Sequence, residues 1–175
     1  MSDPDNQRFP IGPFSPRPEL TEEERERLIQ ELGAFPQRFR TAVKKLSEEE
    51  LETPYREGGW TLRQVVHHVP DSHLQGYVRF KLAMTETVPE IRTYRQGPWG
   101  EMADARTGPV DFSLDILEAL HDRWAFFLRS LSPEDFSRTY RHPVMGELDL
   151  NKTLQLYVWH GNHHLAHIRL VAPSV

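Results

Sequence analysis

The sequence predicts an all-α fold, a four-helix bundle with long connections and a small β-hairpin before the last helix. Three observations predict it. Apolar residues recur three and four apart in four stretches, beginning near Thr21, Thr61, Ser113 and Lys152, which is the period of an amphipathic helix. Two of these stretches open on a capping-box pattern, Thr21 with Glu24 and Thr61 with Gln64. Unequal segments bearing proline and glycine separate the stretches, and they exceed the tight loops of a simple up-down-up-down bundle.

Residues 1–19 carry Pro4, Pro10, Pro13, Pro16 and Pro18 and read as an extended arm with no helix of its own. Phe9, Ile11 and Phe14 are its means of pinning itself to the body or to another subunit. Residues 20–175 read as a single domain. In the first helix Leu28, Ile29, Leu32, Phe35, Phe39, Val43 and Leu46 make the apolar face, and Gly33 and Pro36 are expected to bend it. Ser47 to Leu51 reads as a short helical turn, and Tyr55 to Gly59 as a turn. Trp60 and Val65 suit a hydrophobic staple across the second cap. The second helix is expected to run through His67, His68 and His73 to Thr85, kinked at Pro70.

Residues 87–112 hold Pro89, Pro98 and Pro109 and form a long connection, a kind of segment that tends to carry function. Within it Tyr94 and Trp99 either form a lid over a site or fill a gap between helices. The third helix is expected from Ser113 to Leu131, with Leu117, Leu120, Trp124, Phe127 and Leu131 on its apolar face. Ser132 and Pro133 start a short helix, serine as cap and proline at the first position. Arg138–His142 and Glu147–Leu150, around Met145-Gly146, suit a hairpin. The fourth helix is expected from Lys152 to Val171.

Composition narrows the function. The net charge is -5, which argues against a nucleic-acid binder. There is no basic cluster beside an apolar stretch and no apolar run that could cross a bilayer, so no membrane partner is expected. The first residues do not resemble a signal peptide, and the expected location is the cytoplasm. Cysteine is absent. That excludes disulfides, thiolate metal ligands and a cysteine nucleophile.

Histidine stands out, with nine in the chain. His160, His163, His164 and His167 fall within eight residues of the last helix. Imidazoles four apart share a helical face and can reach one metal. Leu154, Tyr157, Gly161, Leu165 and Ile168 mark the inward face. His164 lies at its edge, His160 just beyond, His167 farther and His163 farthest. The pair His160 and His164 is therefore favoured. A third ligand from the second helix is open among His67, His68 and His73, because Pro70 disturbs the register there.

Pro10-Ile11-Gly12, Thr53 through Thr61, Arg63 through His68, Asp71-Ser72-His73, and Tyr157 through His160 with His163, His164 and Ala166-His167-Ile168 together resemble the YfiT-like branch of the DinB superfamily. The resemblance spans nearly the whole chain. It implies a bundle of DinB/YfiT-like topology, one metal ion held by three histidines, and a homodimer. It implies that the third ligand is His68, eight positions after Trp60, and it maps the other two onto His160 and His164. The chain departs from the branch at Val69-Pro70, where leucine and alanine are usual.

Three neutral imidazoles would leave a divalent ion its full charge and an open position, as in catalytic sites. The expected cofactor is one divalent ion per chain, zinc first, with nickel accepted by the same donors. Such an ion lowers the pKa of a bound water to about 7 and can hold a bound thiol as thiolate. The expected function is a metal-dependent hydrolase acting on a small molecule. The alternatives are a bacillithiol-type S-transferase fed by a low-molecular-weight thiol, a non-catalytic metal-binding stress protein, and a plain bundle whose histidines only pack. Asp71, His73 and Trp99 are candidates to support the ligands or meet substrate. Asp71, His73 and Glu101 are candidates for a general base.

Overall fold

A computed structural model describes residues 7–175. Four long helices dominate it: α1 (Glu22–Val43), α3 (Leu62–Thr85), α6 (Val110–Arg129) and α7 (Leu150–Val171). Both expected capping boxes are present. Thr21 and Thr61 accept from the backbone N–H three residues on, while Glu24 and Gln64 reach back to the cap N–H. Helices α1 and α3 run on through Pro36 and Pro70 without interruption.

Helix α1 packs against α6 and α7, and α3 packs against the same two. The order around the bundle is therefore α1, α6, α3, α7. The successive long helices α1 and α3 stand diagonally, and so do α6 and α7. Diagonal neighbours cannot be joined by a tight turn, which accounts for the first and third connections; the second joins the adjacent helices α3 and α6. The first holds α2 (Glu48–Leu51). The second, expected only as a long connection, contains α4 (Gln96–Gly100) and α5 (Ala103–Thr107). The third holds a 3-10 turn (Pro133–Ser137) and the hairpin of β1 (Thr139–His142) with β2 (Gly146–Asp149). In that hairpin Thr139 pairs with Asp149 and His142 with Gly146. Gly146 takes φ +75° at the turn, a conformation that favours glycine.

Two helix starts differ from expectation. Helix α6 begins at Val110 rather than Ser113, and the Ser113 hydroxyl, inside the helix, meets His67 Nδ1 at 2.8 Å. Helix α7 begins at Leu150, capped by Asp149, whose carboxylate accepts from Lys152 N–H at 2.7 Å. Within the arm, Gln7 and Arg8 are helical, against the expectation of no helix there, and residues 1–6 lie outside the described part. The rest of the arm lies along α7. Trp159 Nε1 donates to the Gly12 carbonyl at 3.3 Å, and the Phe14 and Trp159 rings stand 5.8 Å apart.

The core has two clusters. One, beside the hairpin, gathers Phe80, Trp124, Tyr140, Leu150 and Leu154. The other gathers Phe35, Phe39, Leu62, Val66, Leu117 and Ile168. Each fully buried side chain of this size contributes roughly 1.5–3 kcal/mol relative to exposure. Gly76 lets α3 approach closely, since a Cβ there would fall 2.4 Å from the Tyr157 ring.

Candidate metal centre

Helix α3 places His68 on the side facing α7, and α7 places His160 and His164 one turn apart on the side facing α3. One ring nitrogen from each of the three lies within 4.8 Å of the others. Ring centroids are 5.3 Å apart for His68 and His160, 5.0 Å for His68 and His164, and 4.5 Å for His160 and His164. They line a pocket of about 390 Å³ that also meets Trp60, Arg56 and Gln96. His67, the neighbour of His68, points the other way. Its Nδ1 meets the Ser113 hydroxyl at 2.8 Å and its Nε2 the Gly108 carbonyl at 3.1 Å. Both of its nitrogens are used, so it offers nothing to an ion.

Burial sets the charge state. It pushes His68 down to about 4, with the nearby His163 adding to the effect. It also holds His160 and His164 well below the ordinary histidine range. All three are neutral at pH 7, with lone pairs available. Arg8 and Arg56 lie among the lining residues, and among the described residues no Asp or Glu does. The donor set offered by the described residues is thus three uncharged nitrogens, which fits a borderline ion such as zinc or nickel.

His163, His164 and His167 form a second convergent group that shares His164. His164 Nδ1 faces His167 Nδ1 at 3.3 Å. His163 stacks on Trp159, and His167 stacks on Tyr55 at 3.9 Å. These two support the site from its outer side.

A model of the DinB superfamily matches residues 31–168. The chain belongs to the DinB superfamily. A Bacillus mycoides relative is 50% identical over 161 residues, covering 92% of each chain. A Bacillus anthracis relative matches to the same extent, and both are named as candidate metal-dependent hydrolases. YfiT from Bacillus subtilis is 43% identical and superimposes with a TM-score of 0.94 over 96% of this chain and 97% of that one. Its structure is described as that of a candidate metal-dependent hydrolase with an unusual four-helix bundle topology. The diagonal placement of successive helices is this DinB superfamily member's form of that topology, and the chain sits in the YfiT-like branch.

The other sequence candidates fall in different places within the DinB bundle. His73 is fully buried, and its Nε2 meets His160 Nδ1 at 3.1 Å. It touches a ligand candidate without facing the pocket. Asp71 lines a separate cavity between α3 and α6, where burial and the nearby Asp104 raise it to about 6. Glu101 accepts from Arg106 and from Gln64, outside the pocket. Neither carboxylate stands where a general base for this pocket would. Tyr94 does reach the site, with its hydroxyl 3.3 Å from His68 Nδ1. Trp99 packs on Tyr94 with ring centroids 4.5 Å apart. Trp60 covers the other side of His68 at 4.8 Å. The connection therefore holds His68 in place through Tyr94. Sequence reasoning missed His121, which bonds His73, and Arg56 and Gln96 at the rim.

Proposed function

We propose that this protein is a metal-dependent hydrolase in which His68, His160 and His164 hold one divalent ion, zinc first. The observation that carries this reading is the convergence of three neutral imidazoles on a pocket that no acidic side chain lines among the described residues. When bound, the ion would supply Lewis acidity and lower the pKa of a bound water to about 7.

The chain's own residues then act as follows. His68 is clamped between Trp60 and Tyr94. His160 and His164 are fixed one helical turn apart on α7. Arg8, Arg56 and Gln96 stand at the pocket rim, where a small-molecule substrate would enter. Among the described residues no carboxylate lines the pocket, so these side chains would leave a bound ion its positive charge.

Elemental analysis of untagged protein tests the centre, with about one zinc per chain expected. Hydrolysis of activated ester or amide probes by the zinc-loaded protein, lost on chelation, tests the reaction. Turnover that requires an added thiol would replace hydrolysis by thiol transfer. A homodimer would use Leu74, Val78, Phe112 and Ile116, exposed apolar side chains on the neighbouring helices α3 and α6. Light scattering at a monomer mass would overturn that assignment. No helix among the described residues is long and apolar enough to cross a membrane.

A further inference from the structure

A proline inside a helix has no N–H, so the carbonyl four residues back lacks its helical donor. In α1 the proline is Pro36, and the carbonyl is that of Leu32. That carbonyl accepts instead from His121 Nδ1 on α6 at 2.7 Å. A carbonyl can only accept, so His121 carries its proton on Nδ1. Its Nε2 is then a lone pair, and His73 Nδ1 on α3 stands 2.7 Å away. His73 must donate there. Its own Nε2 becomes the acceptor for His160 Nδ1 on α7 at 3.1 Å. The chain of donors and acceptors admits one direction when all three rings are neutral. His73 and His121 are both fully enclosed, an environment that disfavours a charged imidazole.

We propose that His121 and His73 are positioning residues: a neutral relay, anchored on the Leu32 carbonyl that Pro36 leaves free, holds His160 with its proton on Nδ1 and its lone pair on Nε2, facing the pocket. The inference rests on the metal reading given above. An unconstrained histidine favours the opposite tautomer, with the proton on Nε2. Left alone, His160 would present a proton where an ion needs a lone pair. Metal-bound histidines usually donate their second N–H to a carboxylate, a carbonyl or water. Here the partner is another imidazole, and the terminal acceptor is a backbone carbonyl in a different helix. The relay brings no negative charge to the ligand, so a bound cation keeps its electrophilicity. It also ties together all four long helices, so the aim of His160 depends on the assembled bundle.

The relay is tested first on metal-free wild-type protein, by long-range proton–nitrogen NMR of the histidine rings. Protons on Nδ1 of His121, His73 and His160 are expected, and a proton on His160 Nε2 would overturn the proposal. No metal is involved in this measurement. A correct tautomer pattern in a protein that takes up no zinc would therefore sink the metal reading and leave the relay standing. The second test compares His121→Phe with His121→Gln. Phenylalanine fills the space without donor or acceptor. Glutamine can donate to the Leu32 carbonyl and accept from His73. His121→Phe is expected to weaken zinc binding by about 10- to 100-fold and to release His160 into a mixture of tautomers. His121→Gln is expected to restore both. Equal zinc affinity and an unchanged His160 tautomer in His121→Phe would overturn the relay. If the phenylalanine variant does not fold, the wild-type tautomer pattern decides the question alone.

Discussion

Two cavities of about 390 Å³ flank helix α3, and they use adjacent histidines in opposite ways. The one between α3 and α6 contains His67, with both ring nitrogens bonded, beside Asp71 and Asp104. The one facing α7 contains His68 with four other histidines and two arginines, and no acid among the described residues. His67 and His68 are almost equally buried, 8% and 5% exposed. Burial therefore does not separate them. What separates them is the occupancy of their lone pairs and the sign of the charges around them. The first cavity satisfies its imidazole internally. The second gathers nitrogen lone pairs with neighbours that cannot neutralise a cation.

The largest test of this contrast is a pair of alanine variants. His68→Ala is expected to lose the bound zinc, as measured by elemental analysis. His67→Ala is expected to keep it and to lose about 1–3 kcal/mol of stability, because a buried hydroxyl and carbonyl lose their partner; urea unfolding reads that loss. A full equivalent of zinc in His68→Ala would break the contrast.

Acid should act next most strongly. In the unfolded chain histidine titrates near 6.5, whereas folded His68, His121, His163 and His167 are held at about 4 by burial. Between these values the unfolded state binds more protons, so stability falls as pH drops from about 6.5 to about 4. For the metal-free protein the loss is on the order of a few kcal/mol, read by urea unfolding across that range. A flat profile would mean that the histidine cluster is wetter than its burial implies.

Asp71 has the opposite sign. Its folded value of about 6 lies above the ordinary 3.8. The folded state binds the extra proton between these values, so this contribution to stability is present at low pH and is lost as pH rises towards 6. Asp71→Asn is expected to remove that slope and to add on the order of 1 kcal/mol above pH 6, after discounting for its half-exposed position. Comparing wild type with Asp71→Asn across the same pH range separates the two cavities. The smallest effect is expected from Tyr94→Phe, which removes the hydroxyl facing His68. Zinc should bind about threefold more weakly, while Trp60 still holds the ring.

Much of the fold was legible because its signals are local. Each capping box, Thr21 with Glu24 and Thr61 with Gln64, spans only four residues, and the apolar stripes report on one helix at a time. The preference for His160 and His164 was legible for the same reason, since both sit on one helix beside its stripe. The choice of third ligand was not, because three histidines within seven residues differ only in what the rest of the bundle places opposite them. The resemblance named His68, and the packing of His67 against Ser113 and Gly108 supplies a physical reason. Ser113 itself was misread as a helix start, and nothing local shows that it lies inside α6 with its hydroxyl against His67. The helices α4 and α5 went unseen because each is only five residues long, too short for a periodic pattern.

The sequence by itself determined four amphipathic helices, two of their caps, the hairpin turn at Gly146 and the absence of any thiolate donor. Each depends on composition or on residues a few positions apart along the chain. Only the tertiary structure decided the diagonal order of the helices, the pairing of His68 with His160 and His164, the displacement of Asp71 to another cavity, and the delivery of His121 to the Leu32 carbonyl. These contacts join residues 48 to 96 positions apart, and their geometry exists only once the helices pack.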